Sequence, residues 1–228
     1  MQQITTKQAW VGHCFLLYSP FFLEQLYSLI IRNFKEPSAY WFYGVYFLLC
    51  YSVYGFVCAA HIKWRKRIGE PAVFAYAPDT VKQLWLPMLI GIAGSKTAEL
   101  IIYGQIFSPM LIRDMHAYFI GFSPKTIGAA GFILQYIYYG FEFTLITVLT
   151  DCAQKTSEKY GLTKKVPWGG IFLALTWGIG HAVTKNNIQD GLHSFFISLC
   201  IGIAYLLPGN KTVNAWCTWC TAAAIFLF

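Results

Sequence analysis

Residues 126–150, TIGAAGFILQYIYYGFEFTLITVLT, carry one charged group, Glu142, with none among the sixteen residues before it and none after it until Asp151. A run this long and apolar matches the roughly 20 helical residues needed to cross a hydrocarbon slab about 30 Å thick. Its apolar residues are continuous, whereas a barrel strand would alternate, so the run reads as a helix. The rest of the chain extends the pattern. The 228 residues are 57% hydrophobic, 18% aromatic and 12% charged, with a mean hydropathy of +0.49. That charge content is about half that of an ordinary soluble domain, and the apolar surface exceeds what one soluble core hides. The sequence predicts one all-α integral membrane domain over residues 1–228, a polytopic bundle of about seven transmembrane helices. The expected spans are 9–31, 39–60, 84–111, 126–150, 167–184, 190–207 and 212–228.

This composition excludes a disordered chain, a coiled coil and a soluble nucleic-acid binder, although the net charge is +7 and the pI about 9.0. No nucleic-acid partner is implied; membrane lipid is. The first 30 residues lack the basic start and short apolar run of a removable signal, so the N-terminus reads as retained. Seven cysteines without regular spacing argue against a disulfide framework and for buried thiols. Cys217 and Cys220 form a CxxC with no second pair and no nearby histidine, which makes a poor zinc site. No cofactor and no metal are implied.

Loop charges give the orientation. A cytoplasmic N-terminus places Lys7, Lys63, Arg65, Lys66, Arg67, Lys82, Lys155, Lys159, Lys164, Lys165 and Lys211 inside. Arg32, Lys35, Arg113, Lys125 and Lys185 then lie outside, and eleven against five satisfies the positive-inside rule. The run Lys63–Arg67 reads as a topological stop and headgroup anchor. A multi-pass protein of the cell membrane, such as a bacterial inner membrane, is expected.

Ionisable groups within spans are costly unless they face protein, water or a partner, so each is a site candidate. Glu24 follows Pro20 in the first span. Lys96 and Glu99 stand three apart, on one helical face where they can neutralise each other. Glu142 has no such neighbour and must find partners on another helix, as suits a general base. His181 and His193 each lie six residues from Asn187, so an antiparallel hairpin about that residue sets both imidazoles at one depth. A glutamate with imidazoles can activate water: the carboxylate takes the proton while the ring orients the water or steadies the oxyanion.

The order of these pieces resembles a known family. A glutamate in YYGFEFTLITVLTDC (138–152), a basic loop, and Trp177 to His181 in ALTWGIGHAVTKN (174–186) are similar to the CAAX protease and bacteriocin-processing family of intramembrane glutamate peptidases. Its EExxxR motif supplies the base, an FxxxH motif on the next helix supplies a histidine, and a later HxxxN-like motif completes the site. Trp177 stands where the phenylalanine would be, and SFFISLCIGIAYLLPGN (194–210) with Trp216 looks like the glycine-bearing helix before the third motif. The resemblance covers about residues 126–228. It implies Glu142 and His181 as catalytic groups, with Trp177, Phe143, Asn214 and Thr218 as substrate-binding or supporting residues. The chain departs from the pattern in three places. Glu142 is single, flanked by Phe141 and Phe143; Thr147 or Ile146 replaces the arginine; and the last helix has no histidine, its nearest polar groups being Asn214, Thr218 and Thr221. His193 could stand in for the missing imidazole on geometric grounds alone.

No HExxH, GxSG or GxGD signature is present, and GIAGSKT (91–97) lacks phosphate-loop spacing. Three readings follow. One is a metal-independent intramembrane peptidase acting on a peptide or membrane protein. Another is a catalytically silent member that binds such a partner as a scaffold. The third is a transporter whose polar route runs through Glu24, Lys96, Glu99, Glu142, His181 and His193.

Overall fold

The computed structural model describes residues 2–31, 40–75, 80–120, 125–208 and 213–228. Over these residues the chain is helical with no strand. The elements are α1 (Gln2–Ile31), α2 (Tyr40–Arg67), α3 (Thr80–Tyr103), α4 (Met110–Ile120), α5 (Lys125–Lys159), α6 (Trp168–Leu173), α7 (Ile179–Lys185), α8 (Ile188–Leu206) and α9 (Asn214–Leu227). Arg32, Lys35 and Lys211, which enter the orientation reading, lie outside the described residues.

Helix α5, which holds Glu142, is the axis of the bundle. Every residue from Leu145 to Gln154 is buried, and α1, α2, α6 and α9 pack around it. The sequence explains why: small and β-branched residues on all sides let neighbours approach, and a helix apolar all round belongs in the interior. Helix α3 packs instead on α8 and α9. Between α6 and α8 the backbones nearly touch; a Cβ on Gly170 would lie 2.6 Å from Gly202 Cα. The α7–α8 turn is set by its own residues. Asn186 takes a left-handed conformation (φ 53°), and Asn187 caps α8 by accepting from the Gln189 N–H at 2.9 Å.

Among the described residues, four helices are long and apolar enough to cross a bilayer: Phe47–Arg67, Val81–Tyr103, Gly128–Lys159 and Ile188–Leu206. The chain is an all-α membrane protein, but the expected count of seven spans does not carry over to the described residues. The expected span 84–111 merges two elements, because α3 ends at Tyr103, Gly104 turns left-handed (φ 72°) and α4 begins at Met110. The expected span 167–184 is a continuous helix from Trp168 to Lys185, α6 passing through a π-helical turn into α7. Helix α9 has 14 residues, about 21 Å of rise, and α1 is long but interrupted by Gln8, His13, Glu24 and Gln25.

One end of the bundle is fastened by buried polar groups. Arg65 is 1% exposed and pairs with Asp151, which also accepts from the Tyr205 hydroxyl at 2.7 Å and lies 3.2 Å from Lys155 Nζ. The guanidinium donates further to the Pro71 carbonyl at 2.5 Å. Arg65 is therefore no headgroup anchor. It turns inward because Asp151, the charge that ends the apolar run of α5, is buried there and requires a partner. Lys63 and Arg67 of the same basic run remain exposed. Nearby, Cys14 and Cys152 bring their sulfurs to 3.2 Å, and all seven cysteines are free thiols.

Candidate functional site

The opposite end of the bundle is hollow. A cavity of about 650 Å³ lies beneath α4 and the loop before it, among the ends of α1, α3, α7, α8 and α9 and the middle of α5. Its carboxyl groups come from several helices, and each is held by donors of the protein.

Glu142 is 4% exposed and faces the cavity. Its Oε1 accepts the indole N–H of Trp177 at 3.1 Å. Trp177 sits in the π-helical turn Ala174–Gly178, a widened turn of the kind found where side chains must be re-aimed at a site. One turn on, His181 places Nδ1 3.0 Å from the Trp177 carbonyl and packs its ring with the centroid 4.4 Å from that of the indole. A carbonyl can only accept, so Nδ1 carries the proton and Nε2 is an acceptor for a ligand or water. Trp177 thus holds the acid with its side chain and the imidazole with its backbone.

Glu24 joins from α1. The hydroxyls of Tyr54 and Tyr138 both donate to it, the latter at 2.8 Å. It lines the same cavity as Glu142 and His181. The sequence offers Glu24 as a candidate, yet its partners lie 30 and 114 residues away along the chain, beyond any local pattern.

A second cluster forms another part of the wall. Lys96 Nζ donates to both oxygens of Glu99 at 3.0 and 2.9 Å and to the Phe107 carbonyl at 3.3 Å, while the Phe107 N–H donates to Glu99 at 3.0 Å. These bonds pin the loop after α3. Tyr103 donates to Asp190 at 2.6 Å and packs edge-on to His193, centroids 5.7 Å apart.

His181 and His193 line the same cavity, but His193 belongs to this second cluster, with Glu99 and Asp190 as its charged neighbours. Its ring meets α3 at Tyr103, in keeping with the close packing of α8 on α3. Phe143 packs on Tyr139, Trp219 and Phe226 in the interface of α5 with α9, behind the cavity wall. Asn214 and Thr218 are buried at the start of α9, where the Thr218 hydroxyl donates to the Asn214 carbonyl at 2.8 Å. Ile225 and Phe226 of α9 and the Phe228 that follows it reach the cavity, about 16 Å farther along by helical rise. Among the described residues, no group of three or more metal-ligating side chains converges.

The chain matches no protein-family model, no curated protein and no solved structure.

Proposed function

We infer that the protein is an intramembrane hydrolase of the glutamate-peptidase kind, related to the CAAX protease and bacteriocin-processing peptidases, which opens an amide bond in a peptide or membrane protein. The observation that carries this reading is the joint grip of Trp177 on Glu142 and His181 at the wall of one cavity. In the reaction, His181 Nε2 accepts a hydrogen bond from water and orients it, and the carboxylate of Glu142 takes the proton as oxygen attacks the carbonyl carbon. The proton then passes to the leaving amine as the C–N bond breaks. With the N-terminus in the cytoplasm of a bacterial cell membrane, as the loop charges favour, the cavity opens toward the outer side.

One observation favours a second reading, a peptide-binding or membrane-protein-binding scaffold without hydrolysis. Helix α9 and the residue after it present Ile225, Phe226 and Phe228 to the cavity, which adds apolar contact and no third polar group.

Cleavage of fluorescently labelled casein by the full chain in lipid nanodiscs separates the two. Product from the wild type that disappears in folded Glu142→Gln and His181→Ala supports the hydrolase. Undiminished cleavage by both variants removes it, and a stable peptide complex without product from any form supports the scaffold.

A further inference from the structure

A second hollow lies between α2 and α5. It is a groove of about 390 Å³ walled by Gly55, Ala59 and Ile62 of α2 and by Ile137, Gly140 and Phe141 of α5, and it shares no residue with the cavity that holds Glu142. Each helix contributes residues three and four apart, so each gives one stripe to the wall. The middle is open because glycine and alanine stand there: a Cβ on Gly140 would meet nothing within 4 Å. Two hydroxyls in the wall are already engaged, Thr144 with the Gly140 carbonyl at 2.8 Å and Tyr136 with Asp114 at 3.4 Å. What the groove offers a guest is therefore apolar contact. Both helices are long and apolar enough to cross a bilayer, and exposed Ile62, Ile137 and Phe141 place the opening on the outer surface of the bundle.

Charge continues the α2 stripe. Lys66 follows Gly55 by eleven residues, about three full turns, and Ile62 by four, so it stands in line with the groove at its upper end. Lys63 and Arg67 flank it, and all three are exposed. None of them forms an ion pair among the described residues, because Glu70 is taken by Lys159 and Asp151 by Arg65 and Lys155.

Depth decides the occupant. By helical rise Ile62 lies about 8 Å and Gly55 about 18 Å from the end of α2 at Arg67, and one leaflet holds about 15 Å of hydrocarbon. The groove thus runs through the leaflet whose surface meets the basic end of α2. We propose that it binds an anionic phospholipid of that leaflet, with one acyl chain laid between α2 and α5 and the phosphate at Lys66, beside Lys63 and Arg67. A zwitterionic lipid fills the groove equally but gains less from three unpaired cations. The site does not depend on the hydrolytic reading.

Native mass spectrometry of the full chain tests it. The protein is delipidated in detergent and offered phosphatidylglycerol and phosphatidylcholine of the same acyl chains in equal amounts. One phosphatidylglycerol is expected to be retained at least about fivefold over phosphatidylcholine, and Lys66→Gln to cut that preference by about fivefold. Gly140→Leu, whose side chain enters open space, is expected to lose the retained lipid whatever its headgroup. Equal retention of the two lipids by the wild type, an unchanged lipid count in Gly140→Leu, or a dimer in place of the lipid adduct overturns the proposal. Should Gly140→Leu fail to fold, Ala59→Leu fills the groove from the exposed face of α2 and is read in the same way.

Discussion

The indole N–H of Trp177 donates to Glu142 at 3.1 Å, deep in the bundle, and this bond joins α5 to the π-helical turn before α7. Replacing the donor tests its weight. Trp177→Phe keeps an aromatic ring but leaves a buried carboxyl group short of a partner, which costs about 1–3 kcal/mol. Stability in detergent, read from thermal unfolding, is expected to fall by that amount, with activity lost in parallel. An unaltered melting curve would show that Glu142 draws its donor from elsewhere.

Arg65 and Asp151 make a sharper contrast between single and double replacement. Asp151→Leu alone strands the buried guanidinium, at about 3–5 kcal/mol, whereas Arg65→Met leaves Asp151 its Lys155 and Tyr205 contacts and costs less. The double variant Arg65→Met/Asp151→Leu is expected to recover most of the loss, because two apolar groups fill the space without a desolvated ion. Denaturant unfolding of the three variants reads the difference, and equal losses in all three would refute the pairing.

Helix α4 responds to pH through Asp114. Burial raises its carboxyl above the usual range, against the opposing hydrogen bond from Tyr136 and the charges of Arg113 and Lys185. A raised folded value means that its contribution is whole at pH below the unfolded value and is lost as pH rises through the folded one. Hydrogen exchange of α4 is therefore expected to slow, after correction for intrinsic rates, as pH falls from about 7 toward the ordinary carboxyl range near 4. In Asp114→Asn the same comparison should be flat. A wild-type response identical to the variant's counts against Asp114.

Cys14 and Cys152 approach closely enough for oxidation to join α1 to α5. Copper phenanthroline is expected to remove one pair of thiols in the folded protein, seen as their protection from alkylation until reductant is added. Cys152→Ser should abolish that protection, and alkylation of both thiols after oxidation would place them farther apart.

How far the sequence can foretell this arrangement depends on the range of each interaction. The axis α5 is legible because residues 126–141 have no charge at all, and burial on every side follows. The hairpin about Asn187 is legible because an Asn-Asn pair supplies both a left-handed stop and a helix cap. The break between α3 and α4 is masked, since Gly104 and Pro109 lie within a stretch otherwise apolar enough to continue the span. Glu24 and Arg65 hide their roles for another reason: their partners Tyr138 and Asp151 are 114 and 86 residues away, and periodicity carries no information about such meetings. His193 matches His181 in its distance from the turn but not in company, because that distance says nothing about which neighbour a side chain faces.

Arg65, Asp151 and Tyr205 tie α2, α5 and α8 together at one end, while the other end is hollow and roofed by α4, which has no buried residue. The molecule is built like a pair of tongs, riveted at the handle and parted at the tips. A guest seated between the tips would lie far from the rivet, so what it meets is decided by the cavity walls alone.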